Sequence, residues 1–177
     1  MQYIKRDDII NATLEHEGTS FVHDPVDRGG ATKYGITLDT YRTVFPLATV
    51  DTIKNLTRVD AVYFYTKFIY NKYKLDAIPS SIRDVYFDMI VNHGPGTAAK
   101  LVQKVVNQNI DKPIPVDGVV GPKTLYQIAL VDQRNPTALR QQLIDRRNVF
   151  YDRIVDSNPT QKKFINGWKT RSNSFTI

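Results

Sequence analysis

The sequence contains no cysteine among its 177 residues. Disulfide bonds, thiolate metal sites and cysteine nucleophiles are therefore excluded. Long hydrophobic runs are also absent, since no stretch approaches the roughly 20 apolar residues of a membrane-spanning helix. The first residues, MQYIKRDDIINATLEHEG, carry charges where a signal peptide needs an apolar run. We therefore expect a chain that is made in the cytoplasm with neither a signal peptide nor a transmembrane anchor.

The composition is that of a globular protein with a mild excess of positive charge. Hydrophobic residues make up 41% of the chain and charged residues 24%, and the formal net charge is +6. This charge suits an anionic partner such as nucleic acid, a membrane surface or an acidic polymer like cell-wall glycan, and it does not choose among them. The lysines and arginines are scattered and form no stripe, which weakens the case for nucleic acid.

The N-terminal pattern predicts an amphipathic helix from about Lys5 to Glu17. Ile10, Leu14 and Glu17 recur at the spacing of one helical face, and Gly18 ends the pattern. The helical period is then lost as far as residue 37. The stretches SFVH and KYGIT have short-strand character, and glycines between and within them mark turns, so we expect a small β-hairpin or an irregular sheet here.

The remainder of the chain has helical patterns. Thr57 begins one helix, with Asp60 at the capping-box position. The aromatic run VYFYTKFIYNKY in this helix favours core packing over a sugar-stacking platform. Three further apolar faces are predicted: Ile82, Val85, Met89 and Ile90; Ala98, Leu101, Val102 and Val105; and Leu139, Leu143, Phe150 and Ile154.

These elements define a mainly α (α+β) fold class with one small β region near the N-terminus. The proline-containing segment at residues 109–115 is the best candidate for an internal boundary. We therefore predict a first region at residues 1–108 and a helical C-terminal part at residues 109–177, packed together as one globular unit.

Glu17 is the first candidate for chemistry. It falls on the apolar face of its helix, and it also ends that helix, where the macrodipole is negative. Both features disfavour the ionised carboxylate and favour the protonated form that a general acid requires. The alternative is a solvated glutamate at a fraying helix end, and the spacing alone does not decide between the two.

Two further acids follow in the segment HDPVDRGGAT. Asp24 and Asp27 lie in a turn-rich stretch, and a pair of carboxyl groups facing each other across a cleft is the minimum equipment for glycoside hydrolysis. Thr32 is a candidate to position a water molecule or to support a carboxylate. Turn formation is the alternative role for the aspartates, because Asp-Pro commonly begins a turn.

Other groups of polar residues are weaker candidates for a functional site. His16, His23 and the aspartates suggest a metal site only loosely, because no metal-ligating motif spacing is present, and we predict neither a metal nor another cofactor. His93, which follows a predicted helix, has a structural or capping role as its default interpretation. No serine lies in a nucleophile-elbow motif, and no phosphate-binding glycine loop is present.

The segment LEHEGTSFVHDPVDRGGATKYGIT resembles the signature of glycoside hydrolase family 108, the phage and bacterial N-acetylmuramidases, in which a Glu-Gly segment precedes DPxDxGGxTxxGIT. YFDMIVNHGPGTAAKLVQKVVN resembles a second motif of the family. IPVDGVVGPKTLYQIA is similar to the part usually described as peptidoglycan-binding, and QKKFINGWKTR to the closing segment. Four motifs in order cover nearly the whole chain. One departure is Thr19, where the family has a second glycine after the glutamate.

The resemblance implies a lysozyme-like fold: a helix that ends in the catalytic glutamate, a small β region and a helical lobe. It implies that Glu17 is the catalytic acid, that Asp24 and Asp27 match the two aspartates of the family motif, and that Thr32 matches its threonine. Which aspartate acts as the second catalytic carboxylate stays open, although Asp27 lies closer to the expected spacing.

Two motif residues, Tyr34 and Asn92, are the candidate substrate-binding residues. The activity implied is hydrolysis of the β-1,4 bond between N-acetylmuramic acid and N-acetylglucosamine, for host lysis by a phage. Two alternatives stay open: a lytic transglycosylase acting on the same bond, and a non-catalytic wall-binding module. We expect a monomer that is made in the host cytoplasm and acts on peptidoglycan strands at the cell wall, with neither nucleic acid nor stable membrane insertion involved.

Overall fold

The computed structural model describes residues 5–23 and 30–176, and these residues form mostly helix with one two-stranded antiparallel sheet. The chain divides into two compact units. The first unit ends at Lys74, and the second begins at Leu75. The sequence suggests a different boundary, between residues 108 and 109. That position lies within the second unit, and the boundary there stays a prediction.

The first unit contains the N-terminal helix, the sheet and a group of short helices. Its elements in chain order are α1 (Arg6–Glu17), β1 (Thr32–Lys33), β2 (Ile36–Thr37), α2 (Leu38–Arg42), α3 (Val50–Lys54), α4 (Arg58–Phe64) and a π-helical segment (Tyr65–Asn71).

Helix α1 follows the predicted amphipathic pattern. Ile10 and Leu14 are almost completely buried, with exposed fractions of 1% and 3%. The helix ends because Gly18 adopts a φ of +73°, which favours glycine, and the Gly18 amide donates a hydrogen bond to the Leu14 carbonyl at 3.1 Å. The predicted helix and its stop signal are confirmed.

The hairpin comes from the KYGIT segment. Thr32 pairs with Thr37 and Lys33 with Ile36, so Tyr34 and Gly35 form a two-residue turn. Both turn residues have positive φ, +54° and +72°, as a type I′ hairpin turn requires. The SFVH segment contributes an isolated antiparallel bridge between Val22 and Thr32 instead of a strand.

The aromatic run in the first unit is mostly internal. Thr57 and Asp60 form the predicted capping box at the start of α4, with the Thr57 amide donating to Asp60 Oδ2 at 2.8 Å. Phe64, Tyr65 and Tyr70 are buried, whereas other members of the run are partly accessible and Tyr63 is 51% exposed. Core packing therefore explains most of this run, as the pattern favours.

The second unit is built from five α-helices among the residues that the structure describes. They are α5 (Arg83–His93), α6 (Pro95–Asn107), α7 (Pro122–Arg134), α8 (Pro136–Ser157) and α9 (Ile165–Asn173), with short 3-10 segments at Leu75–Ala77 and Pro159–Phe164. The predicted apolar faces of the helices that became α5 and α6 are buried throughout. Helix α5 is buried at every residue from 83 to 90, so most of it lies in the core of this unit.

The apolar face predicted for the helix that corresponds to α8 is partly wrong. Leu139 and Leu143 are buried, but Phe150 and Ile154 are only half-buried. Arg147 takes a fully buried place in the same helix, with an exposed fraction of 0%. A buried arginine needs a paired carboxylate, and the pattern of apolar residues carries no signal for that partner.

The partner of Arg147 is Asp88 of α5. One Asp88 oxygen accepts from Arg147, and the other accepts from Arg171 of α9 at 2.6 and 3.0 Å. Arg147 Nε also donates to the Tyr151 hydroxyl at 2.9 Å. This buried cluster joins α5, α8 and α9. Burial raises the pKa of Tyr151 and so keeps its hydroxyl protonated.

Candidate active site

Glu17 is the last residue of α1, and its side chain is half-buried. The buried face of α1, which carries Ile10 and Leu14, fixes the rotation of the helix and thereby the direction in which Glu17 leaves it. The amide of Gly18 closes the helix, so the backbone that carries Glu17 is held at a defined helix end.

The Glu17 side chain lies directly against Gly35 of the hairpin turn. A β-carbon built onto Gly35 would lie 2.5 Å from Glu17 Cγ, 2.7 Å from Cδ and 2.6 Å from Oε2. Contacts below 3.0 Å are essentially never made by real β-carbons. Two features therefore favour glycine at residue 35: the positive φ of the turn, and the Glu17 side chain, which a β-carbon at this residue would force to shift.

The hairpin turn beneath Glu17 is tied to the rest of the first unit. The Tyr65 hydroxyl donates a hydrogen bond to the Tyr34 carbonyl at 2.8 Å. Lys33, next to the turn, donates from Nζ to the Lys54 carbonyl at the end of α3, also at 2.8 Å. The turn that contacts Glu17 is thus held from two sides.

Thr32 lies in the centre of the small β region, half-buried. Its amide donates to the Val22 carbonyl at 2.8 Å, and its carbonyl accepts from the Val22 amide at 2.9 Å. This bridge holds the two stretches that flank residues 24–29 side by side. Asp24 and Asp27 fall in that interval and lie outside the described residues, so the choice between them stays a prediction.

Tyr34 and Asn92, the candidate substrate-binding residues, belong to different units. Tyr34 is half-buried in the hairpin turn, and Lys33 Nζ lies 5.6 Å from the centre of its ring. Asn92 is exposed near the end of α5, and its side-chain amide donates to the Asp88 carbonyl at 3.0 Å. The roles of both residues stay predictions.

The three histidines differ in their surroundings. His16 and His23 are exposed. His93 accepts at Nε2 from Arg147 Nε at 3.2 Å, within the buried cluster of the second unit. Burial, helped by the charges of Arg147 and Arg171, lowers the pKa of His93 to about 4, so the neutral imidazole serves as an acceptor in the core. The described ranges, which omit residues 24–29, contain no group of three or more metal-ligating side chains.

The VDGVVGPKT segment of the second unit is organised by one buried glutamine. Gln103, with an exposed fraction of 0%, donates to Asp117 Oδ1 at 2.7 Å and to the Val119 carbonyl at 3.0 Å. Its side-chain oxygen accepts from the Gly118 amide at 3.0 Å. The hydrogen bond from Gln103 lowers the pKa of Asp117 and keeps that carboxylate ionised. The motif thus has a structural role in shaping the loop before α7.

Two contributors to the site were missed in the sequence. The contact of Gly35 with Glu17 is invisible in the pattern, which identifies Gly35 only as a turn residue. Tyr65 lies in an aromatic run whose default role is core packing, and its hydrogen bond to the Tyr34 carbonyl has no sequence signal.

Comparison with known proteins gives two family matches in succession. Residues 10–94 match the family described as Glycosyl hydrolase 108, and residues 97–173 match the family described as Predicted Peptidoglycan domain. No curated protein sequence matches the chain. A solved structure titled Structure of Brucella abortus SagA matches at 28% identity and a TM-score of 0.76, covering 94% of this chain and 88% of that one.

These matches confirm the mainly α, lysozyme-like fold class. The first match, over residues 10–94, supports a glycoside hydrolase, and the second, over residues 97–173, supports peptidoglycan of the cell wall as the substrate. Glu17, Thr32 and Gly35 all fall within the residues matched to the hydrolase family. Among the helices of the described residues, none has the length and apolar character needed to cross a membrane.

Proposed function

We propose that the chain is an endo-muramidase that hydrolyses the β-1,4 bond between N-acetylmuramic acid and N-acetylglucosamine in peptidoglycan. The observation that supports this most is the placement of Glu17. Its carboxyl group stands at a helix end, half-buried and pressed against the hairpin turn at Gly35, inside the segment that matches the hydrolase family. A carboxyl group held in one position is what a general acid needs.

In this mechanism Glu17 protonates the oxygen of the leaving sugar. Asp27 or Asp24 supplies the second carboxyl group, which stabilises the oxocarbenium-like transition state or directs water, and Thr32 assists it. Carboxyl separations of about 5–5.5 Å lead to retention of configuration, and separations of about 6.5–9.5 Å lead to inversion. Tyr34 and Asn92 are proposed to bind the glycan, and no cofactor takes part.

The net charge of +6 supports the choice of substrate. Peptidoglycan is an anionic polymer, and a basic protein accumulates on such a surface through long-range attraction. The peptidoglycan domain at residues 97–173 supports the same substrate. Raising the salt concentration should weaken the retention of the protein on purified walls.

The replacement Glu17→Gln tests the proposal, because it keeps the size of the side chain and removes the transferable proton. We expect the rate at which reducing ends are released from purified peptidoglycan to fall by about 10²–10⁴-fold. Glu15→Gln is the matched control, since Glu15 lies on the same helix, is exposed and loses the same charge. Near-native hydrolysis by Glu17→Gln would contradict the assignment of the acid.

Product analysis separates the two remaining alternatives. A lytic transglycosylase cleaves the same bond but leaves a 1,6-anhydro end, which mass spectrometry of the released fragments distinguishes from a reducing end. A wall-binding module without activity would sediment with insoluble peptidoglycan and release neither product. Hydrolysed fragments with N-acetylmuramic acid at the reducing end are the expected result.

The biological setting that we propose is host lysis by a phage, which the similarity of the N-terminal motifs to phage muramidases supports. The chain expressed in a bacterial cytoplasm together with a pore-forming membrane protein should clear the culture. The Glu17→Gln chain expressed in the same way should not. Clearing that is equal with both chains would show that the pore-former alone causes it.

A further inference from the structure

Within the first unit, the surface that positions Glu17 is a strained turn. Tyr34 has a φ of +54°, a conformation that side chains other than glycine adopt at a cost in free energy. Gly35, the next residue, supplies the surface against which the Glu17 side chain lies. A shift of this turn would therefore shift the position available to the Glu17 carboxyl group. Such a turn needs contacts from outside the hairpin to keep it in place.

Tyr65 supplies a contact of this kind. Its hydroxyl donates to the Tyr34 carbonyl at 2.8 Å, and its side chain is buried, with an exposed fraction of 2%. The carbonyl of Tyr34 belongs to the peptide that joins Tyr34 to Gly35. The hydrogen bond therefore acts on the peptide plane whose rotation sets the conformation of both turn residues.

The backbone that carries Tyr65 is itself defined. Helix α4 begins with the capping box of Thr57 and Asp60, and at Tyr65 the chain changes to a π-helical segment that runs to Asn71. A π-helical turn widens the helix and changes the direction in which its side chains point, and such turns are frequent at functional sites. Phe64, beside Tyr65, packs against Tyr41 with ring centres 5.4 Å apart, which fixes the helix at this point.

We propose that Tyr65 is a positioning residue for Glu17. Its hydroxyl holds the Tyr34–Gly35 peptide, and that peptide determines where the Glu17 carboxyl group lies. Tyr65 does not touch the substrate and takes no part in proton transfer. The inference rests on the proposed function, since it assigns a role in the reaction for which Glu17 is the acid.

The replacement Tyr65→Phe removes the hydroxyl and keeps the ring. We expect kcat on soluble glycan strands freed of stem peptides to fall roughly 10-fold, because a misplaced acid slows the chemical step. KM should stay within about twofold, since no contact with the substrate is lost. The amide resonance of Gly35 should shift in the nuclear magnetic resonance spectrum of this variant, which reports on the turn without using activity.

Tyr151→Phe is the matched control. Tyr151 is buried to a similar extent, 3% exposed, and its hydroxyl also takes part in a hydrogen bond, with Arg147 Nε at 2.9 Å, but in the second unit. Both variants lose one internal hydroxyl, so both should lower the melting temperature by comparable amounts. Only Tyr65→Phe should lower kcat and shift the Gly35 resonance.

The outcomes separate the inference from the proposed function. If the native chain releases no reducing ends, the proposed function fails, and the inference fails with it. If the native chain hydrolyses the glycan and Tyr65→Phe has native kcat, only the inference is overturned. An equal loss of kcat in Tyr151→Phe would overturn it too, because the effect would then be one of general stability.

A second variant covers the case in which Tyr65→Phe is too unstable for kinetics. Incorporation of 4-methylphenylalanine at Tyr65 fills the volume of the hydroxyl with a group that cannot donate. The same loss of kcat with unchanged KM is expected, and native kcat would overturn the inference.

Discussion

Replacement of Gly35 by alanine is the sharpest test of how the fold holds Glu17. The added β-carbon would lie 2.5 Å from Glu17 Cγ, whereas ordinary van der Waals contacts begin at 3.4 Å. The Glu17 side chain must therefore move by about 0.9 Å, the difference between the two distances, or the turn must open by a similar amount. A displacement of roughly 1 Å in a catalytic group can cost about 10²-fold in rate.

The size of the expected effect follows from these distances. A loss of about 10²-fold in kcat corresponds to roughly 2.7 kcal/mol in the activation barrier. The positive φ of Gly35, +72°, adds a separate cost, since alanine in this conformation lowers the free energy of unfolding by about 1–2 kcal/mol. The variant should therefore be somewhat less stable and much less active.

The variant Gly94→Ala is the control that distinguishes backbone strain from the contact with Glu17. Gly94 has a φ of +76°, close to that of Gly35, and a β-carbon built there meets nothing within 4 Å. Its ψ of 159° places it in a region that only glycine readily adopts, so the alanine variant should lose at least as much stability as Gly35→Ala, with unchanged activity. The assay is the release of reducing ends from purified peptidoglycan, with chemical denaturation measured on the same preparations. Native kcat in Gly35→Ala, or an equal loss of kcat in Gly94→Ala, would refute the reasoning.

The remaining predictions concern the buried cluster of the second unit. Asp88→Asn removes the carboxylate that Arg147 and Arg171 share, so the free energy of unfolding, measured with urea, should fall by roughly 3–5 kcal/mol. Asp152→Asn, which removes one partner of an exposed ion pair, should lower it by at most about 1 kcal/mol. Equal losses of unfolding free energy in the two variants would contradict the conclusion that a buried ion pair costs more to break than an exposed one. His93 has a pKa of about 4 in the fold, lowered chiefly by burial, against about 6.5 when unfolded. Between these values the unfolded chain binds more protons, so acidification from pH 6.5 to pH 4 should lower the free energy of unfolding by up to about 3 kcal/mol. His93→Gln should flatten this pH dependence, and an unchanged slope would show that other groups cause it.

Several elements could be predicted from the sequence because their causes are local. The period of Ile10 and Leu14 predicts α1, and Gly18 marks its end, since both signals act within a few residues. The capping box of Thr57 and Asp60 is a contact across three residues, and it is present in the structure. Gly35 likewise marks a turn in both the sequence and the structure, although the two paired strands flank that turn and SFVH contributes only a bridge.

The error on α8 has a different origin. The apolar period there includes Phe150 and Ile154, which are only half-buried, and it excludes Arg147, which is fully buried. Hydrophobic periodicity assigns charged residues to the solvent face. Arg147 is an exception because it is paired with Asp88, which allows it to be buried. Asp88 lies 59 residues away in the chain, so only folding brings the two charges together.

The sequence by itself determined which groups are available for the chemistry and their order along the chain: Glu17 at a helix end, Asp24 and Asp27 in a turn-rich segment, and Thr32 after them. Short-range rules set the helices, caps and turn that carry the described members of this set, because backbone preferences and periodicity act over a few residues.

The tertiary structure alone decided what surrounds Glu17. Gly35 lies 18 residues after Glu17 (35 − 17), and Tyr65 is 31 residues from the Tyr34 carbonyl that it holds. Contacts at these separations form only when hydrophobic burial brings α1, the hairpin and the π-helical segment together, since no local preference encodes them. The proposed acid, Glu17, can therefore be identified from the pattern of residues, whereas the turn that it contacts and the hydrogen bond from Tyr65 to that turn are products of packing.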